Sequence, residues 1–557
     1  MKASVFSNQD AQDGRLVRTW LLAAMLAAVA AGVCAMLTLA PRVPYADQWR
    51  HYAHLLTLPF PANVFEFDNG HAEILPNLLR LLDLFSFGGH ETLQILCAAA
   101  LAMSATALFM RASRDPGTAP ALRAAQLLVI ALGVFWLGNL RALTQPGDGV
   151  HVYLVLTCLG AALCLTLDVS ERDYAKALLA SAFCVVASFS FGSGIATFVA
   201  VLAVLFVQRG PSRVWLIPAA ALLAAGIAYA ALAGPHGGDQ HAILPAALTS
   251  VRVLGTPFVY VAWPLLDPAA AAAVPAPLDG LSIGIASAWT ARFGAIRSAA
   301  FPQAAVGVAG IIWLLMILIR LWRTGHASRA TRVGVGLASF GTAAAVLIAL
   351  ARQDYFAIHA DQITAPRYVP WSSLFWAGLL LAQLGQPGSR RLLFVALLPL
   401  LLLPSELGMA LLARHVREVA EDTALYAAVG VLPESASLGE TAVEDVRAAL
   451  PALRGARTAM YAWPEVEQLD RGAQIAVQDG PIDSTLTANR LGDEGRLVAA
   501  TPIVLPCTVE RPLAVEQSHV VGLLRRGADG RWHGVARGTG AAATVLRVAV
   551  ACAHREQ

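Results

Sequence analysis

The sequence predicts a mainly α protein, a polytopic transmembrane helical bundle of about eleven spans, followed by a small C-terminal α+β or mostly β domain outside the membrane. The first observation behind this prediction is composition: 57% of the 557 residues are hydrophobic and only 14% are charged, against roughly 25% charged residues in soluble domains. The second is a series of apolar segments, each close to the roughly 20 residues that a helix needs to cross a bilayer. The third is an abrupt change to a mixed polar composition after residue 412.

The first apolar segment, Trp20 to Ala40, follows Lys2, Arg15 and Arg18. It is long enough to remain in the membrane as an anchor, and the positive-inside rule places the N-terminus in the cytoplasm. Further spans are predicted at about 91–110, 122–139, 150–167, 214–233, 301–320, 333–350, 369–385 and 392–412, with two short spans on either side of a glycine-rich turn at 191–194.

One apolar segment, 248–266, is interrupted by Pro257 and Pro264. We interpret it as re-entrant or interfacial, because proline removes a helix hydrogen bond and kinks the chain. With this assignment every predicted inner loop contains Arg or Lys, as the positive-inside rule requires. The predicted domains are then a transmembrane domain at 1–412, with its first outer loop at 41–90, and an extracytoplasmic domain at 413–557.

The basic residues are 38 Arg and only 2 Lys, a bias typical of a GC-rich bacterial genome. The predicted location is therefore a bacterial inner membrane, crossed many times, with the C-terminal domain in the periplasm. A net charge of +3 over the whole chain gives no reason to expect a nucleic-acid partner. The membrane itself is the first predicted partner.

The first outer loop is polar where its neighbours are apolar, and it contains the first candidate catalytic residue. Asp47, in the segment PYADQW, could act as general base for an acceptor hydroxyl, or it could simply mark the start of a helix. His71 and Glu73 belong to a group of acids and histidines that could line a polar pocket or form an ordinary solvated loop. No HExxH or CxxC spacing occurs there, so no cofactor is predicted, and a divalent cation is left open.

Two arginines enclose a later outer loop, Arg352 before it and Arg367 after it. The planar guanidinium group binds phosphate through two parallel hydrogen bonds and is always charged. Snorkelling of the side chains to the interface is the alternative explanation. In the tail, Cys507 and Cys552 are candidates for a disulfide if the domain is periplasmic, and two isolated thiols are equally compatible with the sequence.

Five short segments occur in an order that resembles a largely uncharacterised family of bacterial multi-pass proteins: PYADQW, NGHAEILPNLLRLLD, GNLRALTQ, ASFSFGSG and APRYVPWSSLFW. That family is similar in layout to the GT-C glycosyltransferases, which use lipid-linked sugar donors. The resemblance covers about residues 15–410 and implies that Asp47 is the catalytic acid and that Arg367 is a donor-phosphate ligand. Asp47 is not part of an Asp-x-Asp pair, so the resemblance does not imply a required metal. The chain departs from the family pattern at Asn-Gly-His-Ala-Glu, where Asn-Glu-His-Arg is expected.

The resemblance implies an enzyme that moves a sugar from a polyprenyl-phosphate donor to a cell-envelope glycan or lipid on the periplasmic side. Arg352, His71 and Glu73 would then contribute to substrate binding. A non-catalytic envelope-assembly protein that works through its tail is the alternative. A transporter or flippase of lipid-linked glycans is disfavoured, because charges inside several spans and a repeat between the two halves are both missing from the sequence.

Overall fold

The structure, a computed structural model, describes residues 3–170, 172–209, 212–233, 242–271, 279–385, 389–433, 438–471, 487–491, 495–500, 511–516, 519–527, 530–538 and 546–549. Helices dominate, which confirms the mainly α class. They are α1 (Ala3–Thr38), α2 (Gln48–Thr57), α3 (Ala62–Phe65), α4 (Ile74–Ser86), α5 (Thr92–Ala112), α6 (Pro120–Phe135), α7 (Leu140–Thr144), α8 (Pro146–Thr166), α9 (Tyr174–Ser188), α10 (Ala196–Val207), α11 (Ser212–Ala233), α12 (Ile243–Leu266), α13 (Pro268–Ala271), α14 (Asp279–Phe293), α15 (Ala300–Thr324), α16 (Arg329–Ala351), α17 (Gln353–Ile358), α18 (Val369–Leu384), α19 (Ser389–Val429), α20 (Val443–Ala456) and α21 (Pro464–Asp470).

Among the described residues, nine helical segments are long and apolar enough to cross a membrane. The chain is therefore a multi-pass membrane protein, but the prediction of eleven spans was too high. Three predicted spans form shorter helices: α9 and α10 have 15 and 12 residues, and α18 has 16. The apolar stretch that contains α9 and α10 is long enough for one span. It is broken near its middle, so each of the two helices is shorter than the roughly 20 residues that a span needs.

For the segment 248–266 the prediction was wrong in the opposite direction, because it left out a span. It belongs to α12, a continuous helix of 24 residues that contains Pro257 and Pro264 in its interior, and its length suits a span rather than an interfacial segment. Membrane helices tolerate proline because neighbouring groups satisfy the freed carbonyls. The helix packs closely on α15: a Cβ atom at Gly255 would lie 2.0 Å from the backbone oxygen of Gln303. Small residues at this contact let the two backbones approach.

The chain forms two compact units. The membrane unit comprises Met1–Ala40, Phe65–Pro76 and Ile95–Ala413, and the loop–tail unit comprises Pro41–Val64, Asn77–Gln94 and Arg414–Gln557. The first outer loop is thus shared between the two units, and most of it belongs with the tail.

Strands occur in both units. In the membrane unit, β1 (Phe67–Asp68) pairs antiparallel with β2 (His71–Ala72). In the loop–tail unit, six antiparallel strands form one sheet in the order β3-β4-β7-β6-β5-β8. Their bounds are β3 (Thr487–Leu491), β4 (Gly495–Ala500), β5 (Leu513–Glu516), β6 (His519–Arg526), β7 (Trp532–Arg537) and β8 (Arg547–Ala549). With α20 and α21, this sheet confirms the predicted α+β character of the tail.

The core of the loop–tail unit joins the first outer loop to the tail. Trp49 and Tyr52 of α2 are both 0% exposed and belong to the same apolar cluster as Leu453 of α20. The backbone N–H of Ala46 donates to Thr441 Oγ1 at 2.9 Å. The segment that carries Asp47 is therefore held by both apolar packing and a hydrogen bond.

Candidate functional site

A tight hairpin presents His71 and Glu73 within the membrane unit. It turns at Asn69 and Gly70, both with positive φ (50° and 78°), a backbone conformation that glycine and asparagine adopt most readily. The hydroxyl of Tyr229, on α11, donates to Gly70 O at 2.7 Å and accepts from the N–H of Ala72 at 3.3 Å. One tyrosine thus fixes both sides of the turn.

The helix break between α9 and α10 packs against this hairpin. Phe191 is extended there (φ −170°, ψ 146°) and precedes a single 3-10 turn, Gly192–Ile195. A Cβ atom at Gly192 would lie 2.5 Å from His71 Nδ1, so only glycine fits beside the imidazole ring. The N–H of Ile74 donates to Phe189 O at 3.0 Å, which ties the hairpin to the break.

Two imidazole rings pack against Phe191. The His151 ring stacks on it at 4.1 Å between centroids with 1° between the ring planes, and the His71 ring lies 4.4 Å away. Glu73 Oε2 is 3.7 Å from His151 Nδ1, and both side chains are almost completely buried. Burial and the nearby positive charge of Arg352 lower the pKa of His71 to about 4, so its imidazole is neutral at neutral pH. We call Glu73, His151 and His71 the carboxylate–imidazole cluster.

Arginines lie at the ends of neighbouring helices of the same unit. Arg367 is half-buried beside two tyrosine rings, 5.9 Å from the centroid of Tyr355 and 5.0 Å from that of Tyr368. Arg141, on α7, forms an ion pair with Asp148 of α8. None of the described carboxylates forms an ion pair with Arg367, so the guanidinium lies against aromatic rings rather than beside an acid.

Helices α8 and α18 connect these arginines to the carboxylate–imidazole cluster. Asp148 and His151 are three residues apart on α8, which places them on one helix face with Cβ atoms about 5–6 Å apart. The ring of Trp371, one turn after Tyr368, lies 6.1 Å from that of Phe191. Arg352, at the end of α16, donates to Asn69 O at 3.3 Å. The site is therefore built where several helices end.

An apolar cavity of about 450 Å³ lies in the membrane unit beside α18. Ser373, which follows Arg367 by six residues, is one of its few polar lining residues. The lining comes from α6, α12, α15, α18 and α19 and the residue after α6: Val129, Leu132, Gly133, Trp136, Pro257, Phe258, Val261, Val306, Ser373, Trp376, Ala377, Leu380, Phe394, Leu398 and Leu402. Helix α18 thus begins beside Arg367 and lines the apolar cavity along its middle turns.

Asp47 belongs to the loop–tail unit. It occupies the N-cap position of α2, where its side chain makes no capping hydrogen bond. Its carboxylate is 42% exposed and lies 3.4 Å from the guanidinium of Arg50, which also binds Asp445 at 3.0 Å. Of the predicted site residues, Asp47 therefore lies in one unit, and His71, Glu73, Arg352 and Arg367 lie in the other.

A second group of buried acids lies in the loop–tail unit. The fully buried carboxyl of Glu91 accepts hydrogen bonds from Gln48 Nε2 at 2.9 Å and Gln94 Nε2 at 2.7 Å, and it shares a short hydrogen bond with the hydroxyl of Tyr52. Asp83 accepts from the N–H of Glu91 at 3.0 Å. Burial, and then the neighbouring Asp83, raise the pKa of Glu91 to about 8.

Two other predictions concern metals and thiols. In the part of the chain that the structure describes, no group of three or more His, Cys, Asp and Glu side chains could hold a metal ion. The disulfide candidates Cys507 and Cys552 lie outside the described residues.

Sequence reasoning did not identify His151, Asp148 or Tyr229. Each is a single polar residue in or beside an apolar helix, where a structural role is the usual expectation. The only signal was the three-residue spacing of Asp148 and His151 at the start of a span. In comparisons with known proteins, no protein family, curated protein or solved structure matches this chain.

Proposed function

We propose that the protein is a GT-C-like glycosyltransferase of a bacterial inner membrane. It moves a sugar from a polyprenyl-phosphate donor to a cell-envelope glycan or lipid on the periplasmic side, where its C-terminal domain also lies. The observation that carries this proposal is the arrangement along α18: a guanidinium without a carboxylate partner among the described residues, followed by an apolar cavity of about 450 Å³. A lipid phosphate has the matching chemistry, with an anionic head and an apolar tail.

In this mechanism Arg367 holds the donor phosphate and stabilises the charge that develops when the sugar departs. Arg141 adds a second guanidinium within electrostatic range, and Arg352 supplies further positive potential at the same ends of the helices. Asp47 orients the acceptor hydroxyl or takes up its proton. The loop–tail unit holds Asp47 through the contacts of α2 and contributes to binding of the acceptor.

Binding of radiolabelled polyprenyl phosphate to the purified full chain tests the donor site. Arg367→Gln removes a charged hydrogen-bond donor, and we expect it to weaken binding by roughly 10- to 100-fold. Arg292→Gln is the matched control, because Arg292 also lies beside an aromatic ring, that of Phe293, but is exposed on α14. Equal binding by the Arg367→Gln variant and the wild-type protein would contradict the donor site.

Turnover of a panel of polyprenyl-phosphate hexoses tests the enzyme itself. Asp47→Asn keeps the size of the side chain but removes the charge that orients the acceptor hydroxyl or takes up its proton, so we expect a lower rate of sugar transfer. If the Asp47→Asn and Arg367→Gln variants both behave as wild type, the alternative function, a non-catalytic envelope-assembly protein, takes the place of the transferase.

A further inference from the structure

We infer that Glu73 and His151 form a hydroxyl-binding subsite beside the phosphate site, and that Glu73 takes up the proton of the acceptor hydroxyl. This inference rests on the proposed function and assigns a reactive role to Glu73, which the family resemblance connects only with substrate binding. Of the two roles proposed for Asp47, only orientation of the acceptor then remains.

The first argument is the chemistry of the cluster. His151 is 6% exposed, and its Nδ1 has no hydrogen-bond partner among the described residues. A buried polar atom normally has a partner, because leaving it without one costs about 1–3 kcal/mol. Here the nearest carboxylate oxygen, Glu73 Oε2, is 3.7 Å away. That distance is too long for a direct hydrogen bond, but it suits a carboxylate and an imidazole that share one hydroxyl group between them.

The second argument is rigidity. The His151 ring is held flat against Phe191, and Phe191 is fixed in the helix break by Gly192 and by the backbone hydrogen bond from Ile74 to Phe189. Glu73 directly precedes Ile74, so the same bond limits its movement. A catalytic pair needs this kind of support, because small errors of position reduce the rate strongly.

The third argument is location. Asp148, which pairs with Arg141, is three residues before His151 on α8, so the two side chains lie on one helix face. Glu73 contacts His151 and Arg141 contacts Asp148, so one face of α8 links the carboxylate–imidazole cluster to the arginines. His71 adds a neutral imidazole that also packs against Phe191.

The reaction step balances within this site. The acceptor O–H bond breaks, and its proton passes to a carboxylate oxygen of Glu73. The acceptor oxygen forms a new bond to the anomeric carbon of the sugar. The bond from that carbon to the phosphate oxygen breaks, and its electron pair remains on the lipid phosphate beside Arg367. His151 can then accept the proton from Glu73, which restores the carboxylate.

The side-chain ¹⁵N signals of labelled histidine in the full chain test the location of the subsite, with a short-chain polyprenyl phosphate as the probe. We expect the signal of His151, assigned with the His151→Gln variant, to move when the probe binds. The signal of His326, which is exposed after α15, should not move. If the probe binds and the His151 signal stays in place, the inference is wrong while the donor site stands. If the probe does not bind, the proposed function fails and the inference fails with it.

Turnover of the polyprenyl-phosphate hexoses tests the proton acceptor. We expect Glu73→Gln to lower kcat by at least 100-fold with little change in probe binding, and Glu73→Asp to recover part of the loss. A kcat within threefold of wild type for Glu73→Gln, in a preparation in which the wild type turns over, would assign the proton to another group.

Discussion

Replacement of Glu91 by glutamine should remove a large pH dependence from the stability of the loop–tail unit. In the folded protein the carboxyl of Glu91 has a pKa of about 8, against an ordinary value of 4.5, because it is buried and lies beside Asp83. Between these two pH values the folded protein keeps a proton that the unfolded chain has released. The contribution of Glu91 to the free energy of unfolding is therefore fully present below about pH 4.5 and is lost as the pH rises through 8.

The size of the effect follows from the two pKa values. The full difference corresponds to at most about 5 kcal/mol, because each pKa unit is worth about 1.36 kcal/mol. Between pH 6 and pH 9 the protein should lose about 3 kcal/mol. For a domain of 150–250 residues that loss lowers Tm by roughly 6–12 °C.

The assay is thermal unfolding of the full chain at pH 6 and pH 9, followed by tryptophan fluorescence, since Trp49, Trp463 and Trp532 lie in the loop–tail unit. Glu91→Gln keeps the shape of the side chain and cannot ionise, so its Tm should change much less between the two pH values. Glu467→Gln is the matched control, because Glu467 lies in the same unit, is 57% exposed and is paired with Arg471. If the wild type and Glu91→Gln lose the same Tm between pH 6 and pH 9, Glu91 is not a buried, protonated acid and the reasoning is refuted.

Three further predictions concern the membrane unit. Gly192→Ala places a Cβ atom 2.5 Å from the imidazole of His71, and the forced movement should destabilise the protein by about 1–3 kcal/mol, measurable as a lower Tm. Arg352→Gln removes a positive charge that disfavours the imidazolium form of His71, so the pKa of His71 should rise above its value of about 4. An unchanged pKa of His71 in a ¹⁵N titration would exclude the charge of Arg352 as a cause. Gly307→Ala places a Cβ atom 1.8 Å from a carbonyl oxygen of α12 and should lower Tm clearly, whereas Gly226→Ala, with no atom within 4 Å, should not.

The sequence was sufficient to predict which segments form membrane helices, because that depends on whether each segment lies in lipid or in water. Apolar segments of about 20 residues predict membrane helices because a helix satisfies its backbone hydrogen bonds within the segment, as lipid requires, and most of the predicted spans are present. The break at Phe191 was also predictable, since Gly192 and Gly194 interrupt a long apolar stretch. The behaviour of Pro257 was not, because whether a proline ends a helix depends on which neighbours satisfy the freed carbonyl.

The candidate site was less predictable, because it depends on contacts between distant segments. Glu73 was identified as a member of a polar loop, but its neighbour His151 comes from a helix almost eighty residues later and belongs to no recognisable motif. The buried acids show the same limit: Tyr52, Asp83 and Glu91 are separated in sequence, and nothing local indicates that one of them must carry a proton. Short-range patterns predict elements, whereas a site arises only after the elements have packed.

The shared first loop has a consequence for biosynthesis. The segments Pro41–Val64 and Asn77–Gln94 belong to the same compact unit as the chain from Arg414 onward, and roughly 320 residues separate them from it. At about 5–20 residues per second of translation, these early segments wait on the order of 15–60 s for their partners. During that time Trp49 and Tyr52 lack the tail against which they are buried in the finished protein. Translation of the C-terminal region, rather than insertion of the first spans, therefore sets the earliest moment at which the loop that carries Asp47 can take its final form.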